Sequence, residues 1–486
     1  MALDALRSGL LAGIGLLALA GQARAETQPS TLQDALEAAY RTNPTLQAAR
    51  ANQRATDESV PIAKADGRPS ITNTTSYTEF VKRSANNFTS PERVLNSQVQ
   101  LGVPIYSGGG VRNAVKAAKT RVEAGQADLR GTESSIFSGV VAAYMDVILQ
   151  EAVVSLNRKL VEVLGVNLQA TSDRFEIGDL TRTDVAQSQA RLALARGDTQ
   201  SAEANLSAAR EFFIQLVGMV PGELAPPPPL PALPESADQA VATALDFNPD
   251  IIAARERSKA AEHDIDVAGS NRLPSLNLYS TGAYNDYFGT LGGPVASTFT
   301  QKEKTAQVGA RLSIPIYQGG RPAALRRQAQ ARASAALETE IAVERDVIAQ
   351  TRAAYSSWQA AQELIESTQL AVSAAELSLE GVRAENSVGN RTILNILDAE
   401  QELLSAQVRL VTARRNAYVA GFSLLAAMGK AEARDLGLDG GPLYDPEVNY
   451  RRVRGKWFDW ENDPAPAAQS TRTVDTPVQD GEISTK

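Results

Sequence analysis

The chain has 486 residues, a formal net charge of −8, no cysteine and one histidine. The acidic balance argues against a nucleic-acid partner. The lack of cysteine excludes a disulfide frame, thiol chemistry and an acylated N-terminal anchor. His263 lies in the polar run Glu262-His263-Asp264 without metal-ligating company, so neither a metal nor a cofactor is expected.

Residues 1–25 read as a secretory signal: Arg7 supplies a positive start, Leu10 to Leu19 an apolar run, and Ala23-Arg24-Ala25 a cleavage site. The run is too short for a membrane span, which needs about 20 apolar residues. Helices are predicted over 31–42 and 44–66, with Asn43 as cap and Pro44 at the first helical position. Strands follow over 70–81 and 94–106. In the second, Leu95, Val99, Leu101, Val103 and Ile105 share one face, and Asn96, Gln98 and Gln100 the other. The polar segment between them, 82–93, reads as a loop.

No proline occurs between Pro104 and Pro221. That stretch reads as a long outgoing helix (112–177), a turn at Gly178 and a return helix (182–217). Apolar residues recur every seven positions, as in Val140, Val147, Val154, Val161 and Leu168, then Val185, Leu192 and, past a break at Thr199, Leu206. A sustained period of seven implies supercoiled packing between helices.

The whole plan then repeats. Asn43-Pro44 returns as Asn248-Pro249, and Val103-Pro104-Ile105-Tyr106 with Gly108-Gly109 as Ile314-Pro315-Ile316-Tyr317 with Gly319-Gly320. Tyr144, Gly178 and Gly218 return as Tyr355, Gly389 and Gly429, all 211 positions on. Strands are predicted at 275–288 and 304–316, and the seven-residue series resumes at Trp358, Ile365, Val372 and Leu379. Two copies of one unit, neither able to close a core alone, must share one. The domain plan is a first repeat over 26–225, a proline-rich linker over 226–235 and a second repeat over 236–430. A C-terminal segment over 431–462 is expected on the outside of the helical part near its equator. The polar tail 463–486 is expected to be disordered.

Four strands per chain cannot form a closed transmembrane barrel, which takes at least about eight. Open edges in lipid leave backbone groups unpaired at several kcal/mol each. Other copies must therefore finish the wall. The fold class is mainly α with a small β part: long coiled-coil hairpins plus four membrane strands per chain, in two tandem repeats.

These elements, together with Gly389-Asn390-Arg391-Thr392 and Leu397-Asp398-Ala399, resemble the TolC family of bacterial outer-membrane efflux and secretion channels over roughly residues 30–430. The resemblance implies a homotrimer with a twelve-stranded barrel in outer-membrane lipid and an α-helical tunnel through the periplasm. It implies a passive exit duct rather than an enzyme, working with a periplasmic adaptor and an inner-membrane transporter, either ABC-type or proton-driven. By resemblance, Asp398 and Asn395 occupy the pore constriction, Asn395 departing from the family's acidic pattern. Arg391 and Asp184 match a latch that holds the tip shut. Asn386 stands where the family carries a tyrosine in that latch. Gly178 and Gly389, turn formers by sequence, match a possible adaptor contact. Two other classes compete with this one: a periplasmic structural coiled coil without a pore, and a periplasmic hydrolase. The latter has neither a Gly-x-Ser-x-Gly elbow nor a histidine-based triad to support it.

Overall fold

The computed structural model describes residues 28–82, 89–438 and 443–483; the signal expected at 1–25 lies outside them. The first copy opens with α1 (Leu32–Thr42), whose Thr31 and Asp34 cap each other reciprocally. The helix predicted over 44–66 is two helices, α2 (Pro44–Asp57) and α3 (Ser59–Ala65). Pro61, early in α3, has no N–H to offer the carbonyl of Asp57, and the helix breaks at Glu58. Strands β1 (Ser70–Glu79) and β2 (Arg93–Ser107) lead into α4 (Gly110–Glu176), and α5 (Arg182–Val217) returns. The second copy repeats the order as α6 (Ala237–Phe247), α7 (Pro249–Ser270), β3 (Ser275–Asp286), β4 (Lys302–Ser313), α8 (Arg321–Ser387) and α9 (Ile393–Ala427). A short helix, α10 (Pro446–Val453), follows.

The four strands form one antiparallel sheet in the order β1-β2-β3-β4, so β1 and β4 each keep one edge unpaired within the chain. Its register sorts the side chains by chemistry. Leu101 faces Ile71 and Ser280, Val103 faces Leu278, and Leu276 and Leu278 face Leu312 and Ala310, giving one apolar side. On the other side Gln98 faces Thr74, Gln100 faces Thr72 and Thr281, and Thr281 faces Gln307. A bulge between Pro104 and Tyr106 puts Tyr106 opposite Leu276, on the apolar side. The apolar side is open: Val308, in the middle of β4, is 84% exposed.

Each strand pair enters its long helix through two left-handed glycines, Gly108-Gly109 and Gly319-Gly320. With 67 residues each, α4 and α8 span about 100 Å. Helix α4 lies in the middle of the subunit, flanked on one side by α2, α3 and α5 and on the other by α7 and α9. Helix α8 packs only on the far side of α6, α7 and α9. Position decides burial. Val140, Val147 and Val154 of the seven-residue series in α4 are fully buried, in the core formed with Phe137, Tyr144, Leu206 and Phe213. Among described helices α4 is the one apolar and long enough to cross a membrane; its apolar residues make this core instead. On α8, Leu364, Leu370 and Leu377 remain exposed.

The Asn-Pro repeat is a three-way clamp. Asn43 Oδ1 accepts from the backbone of Thr45 and Leu46, capping α2, while its Nδ2 donates to the Leu216 carbonyl at the end of α5. Asn248 does the same between α7 and the Ala427 carbonyl of α9. Each return helix is thereby stacked end to end on the helix that climbs to the sheet. Gly218 and Gly429 turn the chain at these joints in the left-handed region; a Cβ on Gly429 would lie 2.4 Å from the Phe247 carbonyl oxygen. Asn248→Ala should therefore lower stability by about 2–3 kcal/mol, the sum of a lost cap and an orphaned carbonyl. A reduced melting midpoint in detergent would show it; an unchanged one would dissolve the clamp.

Extended segments are held by the repeated tyrosines. Tyr144 Oη donates to the Ala225 carbonyl at 2.6 Å, and Tyr355 Oη to that of Glu235 at 2.8 Å, at the two ends of the linker. Burial pushes the Tyr144 phenol up to about 12. Between them the prolines lie over α4 and α9, where Tyr418 Oη donates to the Pro228 carbonyl and Leu230 fills the space left by Gly421. Within the segment 431–462, Ala431, Ala433 and Leu438 join the main core, and the described residues from 443 on lie along α2 toward the sheet. Residues 471–483, where composition predicts disorder, lie along α5. Ser207 donates to the Gln479 carbonyl and Arg210 to those of Asp480 and Glu482.

Candidate functional site: the hairpin tips

Both helical hairpins turn by the same local chemistry. At the end of α4, Gly178 (φ 81°) lets its own N–H reach the Phe175 carbonyl and the Asp179 N–H reach that of Arg174. At the end of α8, Gly389 (φ 83°) does so with Asn386 and Glu385. A Cβ on either glycine would meet no neighbour, so backbone conformation, not space, requires them. The return helices then open with capping boxes one repeat apart, Thr181 with Asp184 and Thr392 with Asn395.

This pairing defines two of the predicted site residues. Asp184 accepts from the Thr181 hydroxyl at 2.7 Å and its backbone N–H at 2.9 Å. Those bonds, the hydroxyl's first, hold its carboxyl below the usual range. Asn395 accepts from the same two groups of Thr392, at 2.9 and 3.2 Å. Its neutral amide is thus the cap of the second return helix. Arg391 Nε donates to Glu385 at 2.7 Å, on its own hairpin, and Asn386 Nδ2 donates to the Arg391 carbonyl. Among the described residues no ion pair joins Arg391 to Asp184 within one chain.

Asp398 is the predicted residue that does bridge the hairpins, and its partner is one that the sequence does not announce: Arg191 Nη2 of α5 lies 2.6 Å from Asp398 Oδ1 of α9. Both are about half-exposed. Arg383 and the nearly buried Glu400 pair just above, across the second hairpin. Nothing in the sequence singles out Arg191, because its carboxylate is supplied from the other copy. Among the described residues no group of three His, Cys, Asp or Glu side chains could hold a metal ion.

The two caps should respond differently to acid. Asp184 has a folded pKa below its unfolded one, so its contribution is complete above about pH 4 and is lost as pH falls through the lower folded value. Asn395 does not titrate. A spin label at Leu180 should therefore gain mobility between about pH 4 and pH 2 while one at Asn390 does not; equal loosening of both would contradict this.

A sheet with one apolar and one polar side, left open at both edges and carried on paired hairpins about 100 Å long, defines a subunit of a membrane channel with a helical tunnel. The chain belongs to the outer membrane efflux protein family, the TolC family, whose sequence profile matches residues 35–219 and 240–430, one stretch in each copy. It is similar to the outer membrane efflux protein BepC of Brucella suis, at 34% identity over 88% of this chain and 91% of that one. To the outer membrane protein TolC of Escherichia coli K12 it is 27% identical, covering 88% and 87%. Among solved structures it shares the fold of the Campylobacter jejuni CmeC outer membrane channel, with a TM-score of 0.71 at 16% identity, covering 87% and 89%. The protein is an outer-membrane protein with a periplasmic helical part.

Proposed function

We propose that three copies assemble into a channel-tunnel that is the passive exit duct of a tripartite efflux pump or type I secretion system. A periplasmic adaptor joins it to an inner-membrane transporter, which supplies the energy. The observation that carries this reading is the unfinished wall. Strands β1 and β4 keep free edges, and α8 presents Leu364, Leu370 and Leu377 outward where nothing in the chain covers them. In lipid the first is untenable, and in water the second favours association. Three copies of four strands give the twelve of a closed barrel with a polar lumen lined by Gln98, Gln100, Thr281 and Gln307.

At the tip, Asp398 and Asn395 sit at the constriction, and Arg391 and Asp184 form a latch between hairpins when the tip is shut. Gly178 and Gly389 form the turns that an adaptor meets. Detergent extraction from outer membranes, mass determination and planar-bilayer recording test the assembly; a water-soluble monomer without conductance would leave the poreless coiled coil instead. Arg391→Ala should raise single-channel conductance, and an unchanged value would remove Arg391 from the latch. Cross-linking in cell envelopes would then identify the adaptor and show whether an ABC transporter or a proton-driven one accompanies it.

A further inference from the structure

Beyond the core the chain builds a short arm that ends beside the sheet. Helix α10 is fixed on α2, where Asn449 Nδ2 donates to the buried Asp57 at 2.7 Å, and Tyr450 packs on the cluster of Val60, Ala118 and Val122. Past α10 the backbone is held by residues that lead into β1. Lys64 Nζ donates to the Arg454 carbonyl at 2.6 Å, Arg68 Nη1 donates to the Lys456 carbonyl at 2.7 Å, and the Arg68 guanidinium lies 4.5 Å over the ring of Trp457. Asp463 closes the loop, accepting from both terminal nitrogens of Arg452 at 2.6 and 2.8 Å.

The loop is therefore fixed, yet apart from the Arg68 guanidinium over Trp457 its aromatic side chains are left largely uncovered. Trp457, Phe458 and Trp460 are 56%, 73% and 91% exposed. Three large apolar side chains within four residues are a poor surface for water. Arg68 stands two residues before β1, so they sit beside the sheet end where Ile105, Tyr106, Ile316 and Tyr317 also project. In the channel proposed above, on which this inference rests, that end is the periplasmic boundary of the lipid-facing side, the zone where indole rings are most stable. Three of the arm's cations already have carboxylate partners in the chain, Arg451 with Asp445 and Glu447, and Arg452 and Lys456 with Asp463, while Arg454 lies over the Tyr450 ring.

We propose that Trp457, Phe458 and Trp460 form an interfacial foot that seats each subunit in the headgroup zone of the periplasmic leaflet. Its partner is a phospholipid surface, held by aromatic and apolar contact. The foot continues the lipid-facing side of the sheet and does not depend on passage of any cargo.

The chain has three tryptophans, so Trp358→Phe leaves only the pair in the foot. This variant is reconstituted into phosphatidylcholine vesicles whose acyl chains are brominated either near the headgroup or near the methyl end. Fluorescence should fall at least about two-fold with bromine near the headgroup, and less with bromine at the chain end. Aqueous iodide should quench weakly. The complementary variant Trp457→Phe/Trp460→Phe, reporting from Trp358 alone, should be insensitive to either lipid. Quenching of the pair by iodide but not by lipid would place the loop in water and overturn the proposal. Resistance to both quenchers would mean that a neighbouring subunit covers it, and would overturn the proposal equally. Conductance of the same proteoliposomes, measured separately, shows whether the channel reading stands whichever way the quenching falls.

Discussion

Val308→Arg should abolish assembly in the outer membrane, whereas the same substitution one residue earlier, Gln307→Arg, should be tolerated. Val308 lies midway along β4 on the apolar side, opposite Ser280, and Gln307 lies on the polar side, opposite Thr281. A guanidinium on the lipid face near the bilayer centre costs about 2–4 kcal/mol, and a ring of three copies would multiply it. In the lumen it remains in water. The readout is the oligomer that survives in unboiled outer-membrane extracts. Equal loss with both variants would mean that the strand is intolerant of bulk in general. Equal tolerance would mean that this side of the sheet does not face lipid.

The second large effect is expected at the tip. Arg191→Gln should raise the cation-to-anion permeability ratio about three-fold or more, because it strips the countercharge from Asp398. Asp398→Asn breaks the same pair but removes the negative charge, so the ratio should fall. The opposite signs separate electrostatics from mechanics. If the pair served only to tie the hairpins together, both variants would raise conductance and leave selectivity alone. An exposed ion pair contributes only about 0–1 kcal/mol of stability, so neither substitution should prevent folding. The double variant carries no net charge at this site, as the intact pair does, so its ratio should lie between those of the two single variants.

The parts of this molecule legible in its sequence are those governed by local periodicity. Alternation gave β2 its two sides, and the left-handed glycines marked both hairpins, so the return helix predicted over 182–217 coincides with α5. The break at Glu58 was also written locally, in Pro61, but the apolar pattern of the surrounding helix hides it. What could not be read depends on contacts made across hundreds of residues. Arg191 acquires its meaning from a carboxylate on the other copy. The ordering of residues 471–483 rests on side chains of α5 bonding to backbone carbonyls, which any sequence possesses. Asn395 lies between these cases. Resemblance assigned it to the pore, while its register with Asp184 shows that it caps a helix.

The clamps of Asn43 and Asn248 divide the subunit into columns of unequal stiffness. Two are unbroken rods, α4 and α8; the other two are jointed, each with a glycine and a handful of hydrogen bonds at its middle. A lateral push at the far end meets bending resistance in the rods but only rotation at a pivot in the jointed columns. Since α5 has 36 residues, a swing of about 10° at Gly218 would carry its tip roughly 9 Å sideways, and because that tip turns into α4 at Gly178 the end of the rod must bend with it. In the proposed channel the joints would thus lower the resistance of the tip to widening, with the sheet end standing still.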